Sequence, residues 1–382
     1  MAVMIREPLF GNGGDCTLAG ADFRSLIPPA TPMPTFAPAP LTAFAAELLE
    51  AVQVPPTDAK TVAGHLVNAN LCGHDSHGVM RVPQYVGFLK DGTYKANASF
   101  QIEHETPAAI AVDGEWGLGQ VQAHRLLDRL FPKAKSMGVA AGSIKQCGHV
   151  GRLGAYAEAA AEQGFVFFGT VNSHGAGKRV APPGGTEGRI STNPICLGSP
   201  TSGPPVVLDF GTSVAAEGKV RVHYQKNEPT PEGWLIDHEG QPTTDPGVLY
   251  REPHGTILPF GGTQAYKGFG LGLLLDLFTG ALSGGRCANA TAPINGTGNA
   301  VLFTLYDPAA FGGAEHFLRQ ASELVGFVRS CPTAPGVKGI TLPGDPERSA
   351  LAARQQSGIT IPDGTWTLLT KIAAELNVQI PS

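Results

Sequence analysis

The stretch Gly73-His74-Asp75-Ser76-His77-Gly78-Val79-Met80-Arg81-Val82-Pro83-Gln84-Tyr85 gathers two imidazoles, a carboxylate, a hydroxyl, a guanidinium and a phenol into one short segment. Upstream, Ala59, Val62, Ala63, Leu66 and Val67 recur at i, i+3, i+4, i+7 and i+8, the stripe of a buried helix over Thr57 to Leu71. Gly73 ends that helix where a left-handed residue is expected. The polar cluster then follows on a turn, where a rigid scaffold presents side chains to a cleft. If the next segment is helical, His77 and Arg81 share a face at i, i+4. A proton carrier beside a fixed cation suits a small anion whose carbonyl or hydroxyl adjoins its carboxylate. A helix-capping turn with a core histidine accounts for the same residues.

Around this segment lies a chain of 382 residues, enough for two domains. Gly 50 and Pro 32 mark a loop-rich folded protein. Charged residues make up 15% and the net charge is −5. No basic run or long apolar span is present, which argues against nucleic-acid and membrane partners. Six cysteines without a CxxC pair fit reduced thiols in a cytoplasmic enzyme. Residues 1–38, punctuated by Pro28, Pro29, Pro32, Pro34 and Pro38, read as an extended linker.

The folded body starts near Leu41, with a helix through Phe44, Leu48 and Leu49, and a short helix follows at Val86–Leu89. Strands are expected at Ala108–Asp113, Val139–Ile144, Phe165–Val171, Ile195–Leu197, Val206–Leu208, Leu235–Ile236 and Val301–Leu305. Helices are expected near Val121–Leu130, Gly151–Gln163, Phe317–Val328 and Trp366–Leu376. Leu271–Leu282 is apolar nearly all round and reads as a central helix.

Familiar nucleotide signatures fail. Gly268-Phe269-Gly270-Leu271-Gly272 lies inside that apolar helix without a preceding βα turn, and Gly218-Lys219 is no P-loop. Two other clusters carry chemistry. In Gly148-His149-Val150-Gly151-Arg152-Leu153-Gly154-Ala155-Tyr156 a helix start would favour an anionic ligand; a glycine-rich strand-to-helix turn explains it equally. In Leu208-Asp209-Phe210-Gly211-Thr212-Ser213 the carboxylate and hydroxyls either seat a ribose or phosphate or cap the next helix. His74 and His77 form HxxH without a clear third ligand, so no metal is assigned, although metal-dependent hydrolysis and non-catalytic binding stand as rival readings.

Together these segments resemble the second type of malate/L-lactate dehydrogenase family, which has a non-Rossmann fold. The matching motifs run in order: Gly73–Gly78 with Arg81, Gly119-Gln120, Gly148–Gly151 with Tyr156, Asn172-Ser173, Ser191-Thr192-Asn193-Pro194 and Leu208–Ser213. They continue through Pro242-Thr243-Thr244-Asp245-Pro246, Leu258-Pro259-Phe260-Gly261-Gly262, Lys267-Gly268 and Leu342-Pro343-Gly344-Asp345. Gly233-Trp234-Leu235-Ile236-Asp237 and Leu282-Ser283-Gly284-Gly285 resemble the hydroxycarboxylate dehydrogenase (hydroxyphenylpyruvate reductase) branch.

The resemblance implies a mixed α/β fold of two domains after the linker: a helical substrate and dimerisation domain (39–112 plus 306–382) and a cofactor-binding domain (113–305). It implies an NAD- or NADP-dependent homodimer acting on 2-oxo or 2-hydroxy acids. Cyclic-imine carboxylate reduction and ureidoglycolate oxidation are variants within the family. It implies that His77 is the proton donor, with Ser76 beside it, and His149 a second acid/base or substrate ligand. Arg81, Tyr85 and Arg152 would bind substrate. Gly151, Leu153, Asp209, Phe210, Gly211, Thr212, Ser213, Tyr266, Lys267, Gly344, Asp345 and Pro346 would contact the cofactor. Segment 174–189 is longer and more basic than the family pattern, and Gly344-Asp345 stands where Gly-Glu is common.

Overall fold

The computed structural model describes residues 33–294 and 296–381; the linker expected over 1–38 lies, for residues 1–32, outside them. In chain order the elements are β1 (Thr35–Phe36), α1 (Pro38–Glu50), α2 (Pro56–Leu71), α3 (Val82–Lys90), β2 (Gln101–Glu105), β3 (Ala109–Gly117), α4 (Gly119–Met137), β4 (Val139–Gly148) and α5 (Gly154–Glu162). Next come β5 (Val166–Asn172), β6 (Ile195–Ser199), β7 (Val206–Phe210), α6 (Glu217–Lys226), β8 (Leu235–Ile236), β9 (Pro242–Thr243) and β10 (Thr256–Ile257). The chain closes with α7 (Ala265–Asp276), β11 (Gly298–Tyr306), α8 (Ala314–Arg329), α9 (Asp345–Ser357), β12 (Ile359–Thr360) and α10 (Asp363–Leu376).

Proline sets the start of the helical part. Both α1 and α2 carry proline in their first turn, where a missing N–H leaves no gap in the ladder. The stripe read on α2 is enclosed and shares one apolar cluster with Leu41, Phe44, Leu48 and Leu49 of α1. Each fully buried leucine contributes about 1.5–3 kcal/mol. The same cluster takes in Ile359, Leu369 and Ala373 from the far end of the chain. There β1 pairs antiparallel with β12, Phe36 opposite Ile359, so residues 35–38 are a strand and a helix start rather than free linker.

A seven-stranded sheet forms the other main layer, in the order β2-β3-β4-β11-β5-β6-β7. Only β3 and β4 run parallel, bridged by α4; every other neighbouring pair is antiparallel. β11 lies between β4 and β5 and is buried along most of its length, as a central strand must be. Leu126, Leu127 and Leu130 of α4 and Tyr156, Ala157 and Ala160 of α5 pack with Ile144, Phe167 and Phe303 of the sheet. A small sheet, β10-β8-β9, carries a third cluster around Val220, Leu235, Leu249 and Ile257.

The segment Leu271–Leu282 departs from its reading as a central helix. It forms the end of α7 and a wider turn over Leu277–Ala281, and Leu273, Leu274, Leu277, Phe278 and Leu282 stand exposed. The packed side is the glycine side. A Cβ on Gly268 would lie 2.3 Å from the Phe260 carbonyl oxygen, and one on Gly272 would lie 2.6 Å from the Thr212 hydroxyl. Close backbone approach there turns Leu273, Leu274 and Leu277 outward, while Leu275 stays buried.

Candidate active site

The segment Gly73–Tyr85 follows α2 through a Schellman close. Gly73, at φ +82°, donates to the Asn70 carbonyl at 3.0 Å, and His74 N–H reaches the Ala69 carbonyl at 2.8 Å. Beyond it, no single helix carries both His77 and Arg81. Two short 3₁₀ turns, Asp75–His77 and Val79–Arg81, lead into α3, with Gly78 extended between them. Asn70 explains the break. Its Oδ1 accepts from Val79 N–H at 2.9 Å and its Nδ2 donates to Asp75 Oδ1 at 2.7 Å, so one side chain fixes both turns. A Cβ on Gly78 would strike that amide at 2.3 Å.

His77 and His149 meet at one cleft. Their rings stack with centroids 5.4 Å apart and planes 25° off parallel. His77 Nδ1 lies 3.0 Å from Ser76 Oγ. His149 Nδ1 lies 2.7 Å from Tyr85 Oη, which in turn accepts from Gln120 Nε2 at 3.0 Å. The His149 loop approaches α4 closely because Gly119 has no side chain: a Cβ there would lie 2.2 Å from the Gly148 carbonyl oxygen. His149 N–H donates to Tyr94 Oη at 2.9 Å, and Val150 N–H to Asn299 Oδ1 at 3.0 Å.

Electrostatics keeps both imidazoles neutral. Burial, then the Arg81 guanidinium, then His74 bring His77 down to about 3. Burial, Arg81 and His77 hold His149 well below its ordinary value. Burial pushes the Tyr85 phenol up to about 12, so it keeps its proton. Arg81 Nε donates to the Ser76 carbonyl at 2.7 Å and its Nη1 to Gln84 at 2.9 Å. Among the described residues no carboxylate pairs with it, and it lines the cleft.

The other residues singled out in the sequence fall elsewhere. Tyr85 is fully buried behind His149 rather than facing the cleft. Arg152 is buried on Glu158 and Asn68, and Leu153 is core. Asp209 accepts from Gly154 N–H at 2.7 Å, capping α5 rather than the next helix in sequence. Phe210 meets Phe260 edge-on, and Gly211 lies against the Thr192 carbonyl. Thr212 donates to the Thr192 and Asn193 carbonyls and Ser213 to Ala215. Tyr266 and Lys267 stand exposed at the start of α7. Gly344, at φ +92°, starts α9, where Asp345 takes Arg329 and Arg348, with Pro346 next in the helix. Of the expected cofactor contacts, Gly151 lines the cleft. His74 turns to Glu347 at 3.1 Å, and no group of three metal-ligating side chains occurs among the described residues.

Sequence reading passed over the far wall. Arg179 comes from the basic segment 174–189, and Glu217, Arg221, Tyr250 and His254 surround the small sheet. Arg221 forks onto Glu217 at 2.9 and 3.0 Å, and Tyr250 donates to the same carboxylate at 2.9 Å. The cleft measures about 930 Å³, at the upper end of roughly 300–1,000 Å³ for ligand sites. Three arginines against one carboxylate, with the hydroxyls of Ser173, Ser191 and Thr192 between, form a donor set that fits an anionic dinucleotide beside a small acid.

Sheet order and cleft define an α/β protein outside the doubly wound dinucleotide-binding class, with two imidazoles and the Arg81 guanidinium lining one cleft. The malate/L-lactate dehydrogenase family model matches residues 36–370. The chain is 34% identical over 342 residues to the L-lactate dehydrogenase of Cupriavidus necator, covering 89% of this chain and 97% of that one. It is 36% identical over 326 residues to hydroxycarboxylate dehydrogenase B of Escherichia coli O157:H7, covering 84% and 88%. The solved sulfolactate dehydrogenase of Methanocaldococcus jannaschii superposes with a TM-score of 0.81 at 32% identity, over 91% of this chain and 98% of that one. The chain belongs to the malate/L-lactate dehydrogenase family and is a hydroxyacid dehydrogenase with that family's fold.

Proposed function

We propose that this protein uses NADH or NADPH to interconvert a 2-oxo acid and its 2-hydroxy acid. The observation that carries the reading is the meeting of His77, His149 and Arg81 on one cleft, Arg81 having no carboxylate partner among the described residues. When bound, the nicotinamide supplies or accepts the hydride. Arg179 and Arg221, with Ser173, Ser191 and Thr192, would hold the dinucleotide.

Arg81 holds the substrate carboxylate through Nη2, which neither Ser76 nor Gln84 engages. His77 gives a proton to the carbonyl oxygen in reduction and takes it back in oxidation. In the free chain the Arg81 charge helps hold His77 neutral. A bound carboxylate offsets that charge, so the proton affinity of His77 rises as substrate arrives. His149 supplies a second polar contact to the same oxygen. The acting form is a cytoplasmic homodimer, a reading supported by the exposed apolar side chains Leu273, Leu274, Leu277, Phe278 and Leu282 and by five free cysteines among the described residues.

The test is loss of reduced-nicotinamide absorbance with NADH or NADPH and a panel of pyruvate, oxaloacetate, phenylpyruvate, hydroxyphenylpyruvate and 2-oxoglutarate. Turnover on one of them supports the reading and ranks substrate and cofactor. Silence with cofactor bound redirects it to a cyclic imine or ureidoglycolate. Silence without cofactor binding removes it. Light scattering on the eluting protein reads the oligomer.

A further inference from the structure

The two cleft histidines differ in what lies behind them. Ser76, behind His77, carries a hydroxyl that donates or accepts, so it leaves either ring nitrogen free to hold the proton. Tyr85, behind His149, is tied on its other side to the Gln120 amide, which turns its Nε2 end to the phenol and leaves its Oε1 buried without a partner among the described residues. The phenol oxygen accepts from Gln120 Nε2 at 3.0 Å, and the phenol proton has one acceptor in reach, His149 Nδ1 at 2.7 Å. Both Tyr85 and Gln120 are fully buried, so water does not compete for these bonds. Gly119 lets the first turn of α4 come close enough for Gln120 to reach the phenol.

We infer that Gln120 and Tyr85 are positioning residues that lock His149 as the Nε2–H tautomer, presenting a fixed hydrogen-bond donor to the substrate oxygen. The chain of bonds runs one way: amide N–H to phenol oxygen, phenol O–H to Nδ1, leaving the ring proton on Nε2. It is no proton relay, because the amide has no proton to pass on at neutral pH. His149 therefore polarises the carbonyl and His77 delivers the proton. This division of labour rests on the function proposed above; the tautomer itself does not.

The decisive variant is Gln120→Glu. A carboxylate at 120 accepts from the Tyr85 O–H, which turns the phenol oxygen into an acceptor for His149 Nδ1–H and strips the proton from Nε2. Long-range ¹H–¹⁵N spectra of histidine-labelled protein at pH 7.5, assigned with His149→Gln, read the tautomer without turnover. The wild type should show Nε2–H at His149, Gln120→Glu should show Nδ1–H, and Tyr85→Phe should lose the preference. With substrate, Gln120→Glu should lower kcat about tenfold or more, as loss of a donor to a developing oxyanion does, while KM changes little. Nδ1–H in the wild type overturns the inference. So does one unchanged tautomer across wild type, Gln120→Glu and Tyr85→Phe; if Gln120→Glu does not fold, Tyr85→Phe decides alone. An Nε2–H signal in a protein silent toward every 2-oxo acid would count against the proposed reaction and leave the positioning standing.

Discussion

The turn that carries His77 and the strand end that carries His149 face one cleft but are held by different means. Charge adds to the Asn70 amide in holding the turn: Asp75 accepts two bonds from Arg354 of α9, at 2.7 and 3.0 Å, and His74 meets Glu347 of the same helix. Burial and neutral hydrogen bonds clamp the strand end, through Tyr94, Tyr85, Gln120 and Asn299. Half-exposed ion pairs are worth little and yield to salt, whereas dry neutral networks specify one arrangement. On the reaction proposed above, the proton to be moved would sit on the ion-paired side and the fixed donor on the dry one.

The largest expected effect breaks the ion-paired side. His77→Ala should lower kcat by about 10²–10⁴-fold, the usual worth of a general acid, with cofactor binding by fluorescence titration retained. A near wild-type kcat would move proton transfer to the His149 wall. Next, Arg81→Ala should raise KM for the 2-oxo acid by about 10–100-fold, the weight of a charged hydrogen bond; an unchanged KM would detach Arg81 from the carboxylate.

Smaller effects test the buried side through stability. His65 is buried beside Gly151 and Tyr156, and burial, His124 and Arg152 lower it from 6.5 to about 3. Between those values it is protonated in the unfolded chain and neutral in the folded one. The unfolded chain then binds more protons, so this stability is whole above pH 6.5 and drains as pH falls through the window. The urea stability lost between pH 7.5 and 5.5 should be about 1 kcal/mol larger in the wild type than in His65→Gln, and equal losses in the two proteins would refute its neutrality. The least change comes from Asp75→Asn, about 1 kcal/mol or less, shrinking further in high salt; a salt-independent loss would place the clamp with the buried class.

Much of this was legible from residues. The α2 stripe, the stop at Gly73 and most strands follow from local period and turn chemistry. What failed needed distant partners. Asn70 breaks the expected His77–Arg81 helix because it bonds residues on both sides of Gly78. Asp209 caps α5, far earlier in the chain, and β11 enters between strands that precede it. Leu273, Leu274 and Leu277 face outward because Gly268 and Gly272 pack inward, which hydropathy alone reads in reverse. Gln120 was present in a matching motif, but only the fold shows that it reaches Tyr85.

The pairing of β1 with β12 bears on the order in which the protein can be made. The apolar cluster of the sheet draws on residues up to Leu305, whereas the helical cluster needs Phe36 together with Ile359, Leu369 and Ala373. On a ribosome adding roughly 5–20 residues per second from the N-terminus, the sheet can close its core while residues 307–382 are still unmade. α1 and α2, made before the sheet, must wait for α10 with part of their apolar face uncovered. The tie between Thr35 and Thr360 closes a loop that spans most of the described residues and forms late.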